Sequence, residues 1–544
     1  MPSSERALPL LGLRRLVSSL PRPHRCVKRR PDVRIAWIPG LAAIAVALVA
    51  VVSGARLSPL VPVLPAGAQP LLPFRWTARI LGISGLSAEA KGVVVVASFA
   101  LSGGAFLWAL WAAWRGEISL RTALMFGLAF HVIAVAMPLV VSRDVYQYAI
   151  FGRILSIHHA NPYVSTPRSF ATDPLYPLVS PQWKDTPLVY GPLFARLSGV
   201  IATLASSPAA LVAAFKVLSG VASAMAMLIV AWLARRRWPE KAAFAVVLIG
   251  WNPAVLFDGV GAGHFDTLVG LTLALAIGFI AFPRTRRLGT ELLATAALTL
   301  GAMLKFPVAA PLALLVIAAV IRRPSSRRLG ALACHLGVIA GLVAPLVVPF
   351  VQRHDPTLGA WPLFRYENFL APTGFVSSAI KALATGGSDL PLGVTTGVRG
   401  AFSLAFLAGF LLLVAMIIRR VEGPGTEGAA WSAALLLFAL CAPLLWPWYL
   451  VWVLPLAWLL PRPGLAAMAL LSAALPILVT VAEPVRARLV YHVLLEMGRS
   501  VVAPALLVLL VVFLRHLIFA ARQKEDPVVR ASVGVAASSG VPRA

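Results

Sequence analysis

The sequence predicts an all-α fold, a polytopic transmembrane helical bundle of about 14 spans whose external loops carry the active site. Three observations lead there. Hydrophobic residues make up 59% of the 544 residues and charged ones 12%, at a mean hydropathy of +0.86; a soluble domain needs about 25% charge to cover its surface. The apolar residues fall in repeated runs near the length of about 20 residues that crosses a bilayer. Arginine clusters separate those runs in the pattern of cytoplasmic loops, so the net charge of +28 does not call for nucleic acid as a partner.

Residues 1–34 read as a basic cytoplasmic segment, with Arg25, Lys28, Arg29, Arg30 and Arg34 ahead of the first apolar run. More apolar runs follow and no convincing small-residue cleavage site does, so the first run reads as a signal anchor. The membrane domain covers 35–520, and 521–544 reads as a disordered cytoplasmic tail. The spans fall at 36–54, 92–114, 122–142, 208–233, 242–257, 266–282, 289–304, 306–321, 329–351, 397–418, 428–446, 449–460, 465–482 and 500–520. The shortest, 289–304 and 449–460, fit broken or tilted helices beside an internal cavity. Residues 192–207 contain Arg196 and are short, which suits an interfacial or re-entrant segment. Cys26, Cys334 and Cys441 are too scattered for a disulfide framework or a metal site.

With that alternation, Arg115 and Arg121, Arg235 to Arg237, Arg284 to Arg287, Arg322 to Arg328, and Arg419 with Arg420 share one side, which is cytoplasmic. Both termini then lie inside an integral cytoplasmic (inner) membrane protein. The long loops 55–91, 143–207, 258–265, 352–396 and 483–499 collect on the extracytoplasmic face and hold most of the unusual polar residues. No internal repeat of the kind built into many transporters is evident.

Among those residues, Asp144 stands where a helix leaves the bilayer. Carboxylates there are expensive and tend to be functional; a helix cap, or a pair with Arg143, is the plain alternative. A helix over 144–156 puts Asp144, Gln147, Tyr148 and Phe151 on one face and Tyr146 with Arg153 on the other, where Arg153 could hold a headgroup or phosphate. Asn161-Pro162-Tyr163 reads as a turn, and Tyr190-Gly191-Pro192 returns the chain to the membrane. The block from Asn252 to Asp266 reads as a short external hairpin. Its Asp258, His264 and Asp266 could hold a divalent cation, contact substrate, or form a glycine-rich turn with solvated tips. Lys305, before Pro307, either snorkels or holds a phosphate. Trp448, Tyr449 and Trp452 are interface anchors or stacking surfaces for a sugar or a polyprenyl chain. Arg365 belongs to a further loop rim, and His131 reads as a packed, hydrogen-bonded residue.

Four blocks in order carry a resemblance: Asp144-x-Tyr146-x-Tyr148-Ala149-x-x-Gly152-Arg153 with Asn161-Pro162-Tyr163 and Tyr190-Gly191-Pro192-Leu193; Asn252-Pro253 with Gly263-His264-x-Asp266; Lys305-x-Pro307; and Trp448-Tyr449-x-x-Trp452-x-x-Pro455. Over roughly 120–460 the chain resembles the bacterial polyprenol-phosphate-mannose-dependent mannosyltransferases of the GT-C superfamily. The resemblance implies a GT-C-like fold, a polyprenyl-phosphate sugar donor (mannose or a similar hexose) and an extracytoplasmic glycan or glycolipid acceptor. It implies Asp144 as general base, with Tyr146, Tyr148, Arg153, Asn161, Tyr163, Tyr190, Asn252, His264, Asp266, Lys305, Arg365, Trp448 and Tyr449 as substrate contacts. The chain departs from some relatives in having a single carboxylate where they have a pair, and in two apolar runs before the one that leads into the loop. A carboxylate can take the acceptor proton, the phosphate leaves once its charge is stabilised, and one displacement inverts the anomeric centre. No cofactor is required. A transporter or flippase of a lipid-linked sugar would share this topology, as would a transferase using arabinofuranose or glucose.

Overall fold

A computed structural model describes residues 37–65, 71–281, 287–351, 366–385, 392–419 and 424–522. Helices dominate, and no strand occurs among the described residues. The chain opens with α1 (Ile38–Ser53), α2 (Leu72–Ile80), α3 (Ala88–Trp114) and α4 (Leu120–Ala136). The loop after α4 leads into α5 (Asp144–Ser156), and α6 (Pro192–Leu204), α7 (Pro208–Arg237) and α8 (Ala242–Gly250) follow. Next come α9 (Asp266–Ala281), α10 (Leu288–Leu304), α11 (Ala309–Ile321) and α12 (Ser325–Val347). The last third holds α13 (Pro372–Thr385), α14 (Leu392–Arg419), α15 (Pro424–Cys441), α16 (Leu450–Ala457), α17 (Arg462–Ala474), α18 (Arg488–Met497) and α19 (Ala503–Arg522).

Each of the fourteen predicted runs is helical over most of its length. By length and apolarity alone, six helices among the described residues can cross a membrane, or seven when a pair bent by 46° between α8 and the segment after it counts as one. The other apolar helices are shorter. Of these, α16 is buried along its whole length, so protein rather than lipid surrounds it, the setting in which a half-length helix is tolerated. The α6 helix is thirteen residues long; it buries Phe194, Ala195 and Ser198 and leaves Val200 and Leu204 exposed.

Helices α7, α9, α10 and α5 meet at one end of the bundle, where Asp144, Asp266 and Lys305 stand at helix termini. A second group of arginines stands at the other end. There Arg237 donates to the Ala281 carbonyl at 2.6 Å, Arg323 pairs with Glu291 at 2.5 Å, and Arg322 pairs with Glu427. Glu291 and Glu427 are buried, and each carboxylate is balanced by the arginine that ends a neighbouring helix.

The predicted hairpin at 252–265 is corrected. Residues Ala254–Gly261 form a π-helical turn that is buried throughout. Asn252 starts it: its side-chain oxygen accepts from the Ala254 N–H at 3.0 Å, while its amide donates to the Leu248 carbonyl at 3.0 Å. Of the glycines read as loop residues, Gly261 serves packing, since a Cβ there would meet the Met137 side chain, while Gly263 takes a left-handed turn (φ 68°). His131 bridges Gly127 and Ser223 at 2.7 and 2.8 Å, as expected of a core histidine. Cys334 and Cys441 are free thiols, and Cys26 lies outside the described residues.

Candidate active site

Helix α4 ends where Met137 and Pro138 turn the chain into an extended link. Val141 takes a left-handed conformation (φ 70°) and donates its N–H to the Leu60 carbonyl at 2.9 Å. A branched residue there is strained by about 1–3 kcal/mol, so the neighbouring contacts hold this approach in place. Three residues on, Asp144 opens α5 in the first turn, where the helix dipole favours a carboxylate. Its N–H is capped by the Ser142 hydroxyl at 3.1 Å. Arg143 turns away to Glu483, Nε and Nη2 lying 2.8 and 2.5 Å from one carboxylate oxygen. The alternative pairing of Asp144 with Arg143 is thereby replaced.

Asp144 faces His264 instead. Its Oδ2 lies 3.4 Å from His264 Nε2; the imidazole is fully buried and the carboxylate keeps 16% of its side chain open. His264 Nδ1 meets the backbone carbonyl of Asp258. The ring stacks on Trp448 at 4.2 Å between centroids and 18° between planes, and Trp448 stacks in turn on Trp446 at 5.1 Å.

Asp266, two residues further, accepts from Lys305 Nζ at 2.8 Å and from the Trp452 indole N–H. Lys305 lies among rings, 4.6 Å from the centroids of Tyr449 and Trp452 and about 5.5 Å from those of Tyr190 and Phe265. Burial lowers the proton affinity of this ammonium, and Asp266 and the more distant Asp144 offset part of that. Gly191 fixes the register: its N–H donates to the Leu304 carbonyl at 3.0 Å, and a Cβ there would sit 2.1 Å from the Met303 carbonyl oxygen. Only glycine lets the Tyr190 segment come this close to Lys305. Burial, with the charges of Asp144 and Asp266, holds the Tyr190 phenol well above its usual range, so it stays protonated at neutral pH.

One cluster thus gathers Asp144, Tyr148, Tyr190, His264, Asp266, Lys305, Trp448 and Tyr449; Tyr148 lies edge-on to Tyr190, His264 and Phe265. The other expected contacts are committed to structure. Tyr146 donates to the Val63 carbonyl at 2.9 Å. Arg153 pairs with Asp173 at 2.8 Å and is not a free phosphate anchor. Asn161 bridges the Phe350 carbonyl and the Tyr163 N–H, and Tyr163 donates to the Tyr190 carbonyl at 2.7 Å. Asn252 caps the π-helical turn. Arg365 lies outside the described residues. Asp258, His264 and Asp266 do not converge on a common point, and no group of three His, Cys, Asp or Glu placed to hold a metal occurs among the described residues.

Two residues went unread in the sequence. Glu483 holds Arg143 across 340 positions, and its one local signal is an acid that follows an apolar run. Phe265 packs against Tyr190 and Phe194 at 4.8 and 4.2 Å; an aromatic between His264 and Asp266 looks like ordinary core.

Residues 40–322, just over half of the chain, match the family described as alpha-(1->6)-mannopyranosyltransferase, N-terminal domain. A probable alpha-(1->6)-mannopyranosyltransferase of Mycolicibacterium smegmatis is 28% identical over 370 residues, which is 60% of this chain and 63% of that protein. An alpha-(1->6)-mannopyranosyltransferase of Mycobacterium tuberculosis is 26% identical over 398 residues, 62% of this chain and 65% of its own length. Alpha-(1->6)-mannopyranosyltransferase A of Corynebacterium glutamicum is 30% identical over 179 residues, 31% and 36% of the two chains. The chain spans just under two thirds of the length of the first two relatives. No solved structure matches it.

Proposed function

The chain belongs to the alpha-(1->6)-mannopyranosyltransferase family, and from that premise we propose that it moves mannose from a polyprenyl-phosphate donor to an extracytoplasmic glycan or glycolipid, inverting the anomeric centre. The observation that carries this reading is one cluster that holds Asp144, its one partly open carboxylate, against His264, with the buried Lys305–Asp266 pair set among the rings of Tyr190 and Phe265 that Tyr148 joins to His264. An acceptor hydroxyl placed at Asp144 loses its proton as its oxygen attacks the anomeric carbon. Lys305 neutralises the departing phosphate, and the rings of Trp448, Tyr449 and Trp452 offer a stacking wall to the sugar. A β-linked donor then gives an α-linked product, in keeping with the linkage in the names of the relatives.

In proteoliposomes, labelled polyprenyl-phosphate mannose and a short α-(1→6)-linked mannoside are expected to give an extended α-mannoside. GDP-mannose and polyprenyl-phosphate arabinofuranose or glucose are expected to give none. Asp144→Asn is expected to cut turnover about a hundredfold or more while the protein still inserts and folds. Near-normal turnover in Asp144→Asn rejects the base assignment. Intact donor crossing the membrane with no labelled glycan rejects the transferase and returns the transporter. The reaction so written needs no metal, because Asp266 is held by Lys305 and Trp452 and His264 Nδ1 by a carbonyl. Turnover is expected to survive EDTA; a tenfold loss restored by one divalent ion would overturn the metal-free reaction.

A further inference from the structure

We propose that His264 is the proton partner of Asp144, so that the two side chains accept the acceptor's proton as one unit; this rests on the reading of Asp144 as the base. The inference begins with the π-helical turn. Gly263, five residues after Asp258, would complete a π-type bond to the Asp258 carbonyl. It turns instead into the left-handed region (φ 68°) and donates to the Val260 carbonyl at 3.0 Å. The Asp258 carbonyl is left to the His264 ring, whose Nδ1 stands against it.

A carbonyl oxygen only accepts. Nδ1 must therefore carry a hydrogen, and in the neutral ring Nε2 is bare. That bare nitrogen faces Asp144 Oδ2 at 3.4 Å. Two lone-pair groups facing one another leave the site one proton short, and a proton arriving at either is shared by both. Stacking on Trp448 favours the imidazolium that results.

The remaining charges around the pair leave this proton to it. Lys305 is matched with Asp266 on α9, and Arg143 with Glu483. Lys216 on α7 is spent on the Met137 and Pro138 carbonyls. Both carboxyl oxygens of Asp258 are buried in the π-helical turn with no hydrogen-bond partner, and the Tyr148 ring lies between His264 and Tyr190.

In the proposed step the acceptor O–H bond breaks and its oxygen bonds to the anomeric carbon. The bond from that carbon to phosphate oxygen breaks, its electron pair leaving with the polyprenyl phosphate. The proton passes to Asp144 and settles on His264 Nε2. It returns to external water through Asp144, since the carboxylate is open and the imidazole is not.

The test uses full-length protein in nanodiscs. His264→Asn keeps an amide able to donate to the Asp258 carbonyl and removes Nε2. Its kcat is expected to fall about a hundredfold with KM for the donor changed less than about threefold. The acid limb of its kcat profile is expected to move to lower pH, because the imidazole no longer shares the proton. An acid limb that stays put in folded His264→Asn, while Asp144→Asn is inactive, overturns the pairing and leaves the base assignment standing. A second measurement needs no turnover. With 15N-labelled histidine, the His264 ring is expected to take its second proton at lower pH in Asp144→Asn than in the wild type. Equal midpoints in the two proteins overturn the pairing.

Discussion

Lys305 carries the sharpest energetic argument at the scale of single residues. Its ammonium is buried among four rings and matched by one carboxylate. Removing one member of a buried pair costs about 3–5 kcal/mol, whereas removing both can be nearly neutral. Lys305→Met and Asp266→Asn are therefore each expected to lower the unfolding temperature, and the double variant to recover a large part of the loss. Activity is expected to follow a different order, because Lys305→Met and the double variant both lack the charge proposed to meet the phosphate. Equal stability in the single and double variants would break the pairing argument. The sequence alone leaves this lysine divided between snorkelling and phosphate binding, because nothing within several residues of it reveals Asp266, 39 positions earlier. The same is true of Asp144, whose partner lies 120 positions later, whereas its helix-start position and apolar approach are read locally.

Elements differ in how far pattern alone reveals them. Apolar runs of helical length become helices because lipid and a buried core both require internally satisfied backbone, so the predicted runs hold. The π-helical turn is different: glycines at alternate positions suit an exposed hairpin as well as a tightly packed helix, and contacts with Met137, Thr267 and Val451 decide between them. The segment between α5 and α6 is tied by Asp173, which accepts from the Leu175 N–H at 2.9 Å, His158 at 2.9 Å and Arg153 at 2.8 Å. Burial alone would raise this carboxyl, but those donors outweigh it and leave it below its usual range. A depressed folded value means that the stabilisation is present above the ordinary carboxylate pKa and is lost as pH falls through the folded one. The segment is expected to become protease-sensitive below about pH 4, and Asp173→Asn to be sensitive at neutral pH; identical cleavage profiles for the two proteins would remove Asp173 from this role. Gly191→Ala, which drives a methyl against the Met303 carbonyl, is expected to separate Tyr190 from Lys305 and raise KM for the donor more than tenfold. An unchanged KM would show that the register has another anchor.

For the whole molecule, the two ends of the bundle differ in a way that the proposed orientation uses. The α7 helix has 30 residues and spans about 45 Å, more than the hydrocarbon core of about 30 Å. It runs from the side of α6 and the candidate site to Arg235, Arg236 and Arg237. Arg322 and Arg323 close against buried acids at that same end. The proposed orientation takes that end as the cytoplasmic side and puts Asp144 outside, where the proposed lipid-linked donor rather than a nucleotide sugar would be the available substrate. In a variant with Cys26, Cys334 and Cys441 replaced by serine, Arg168→Cys probes the exposed loop before α6 and Arg235→Cys the exposed end of α7. Neither belongs to the site cluster, so both proteins are expected to remain active. A membrane-impermeant maleimide added to intact cells is expected to label Arg168→Cys at once and Arg235→Cys only after permeabilisation. The reverse result would put the carboxylate and lysine in the cytoplasm, with soluble nucleotide sugars within reach, and the choice of a polyprenyl-phosphate donor would fall with the orientation.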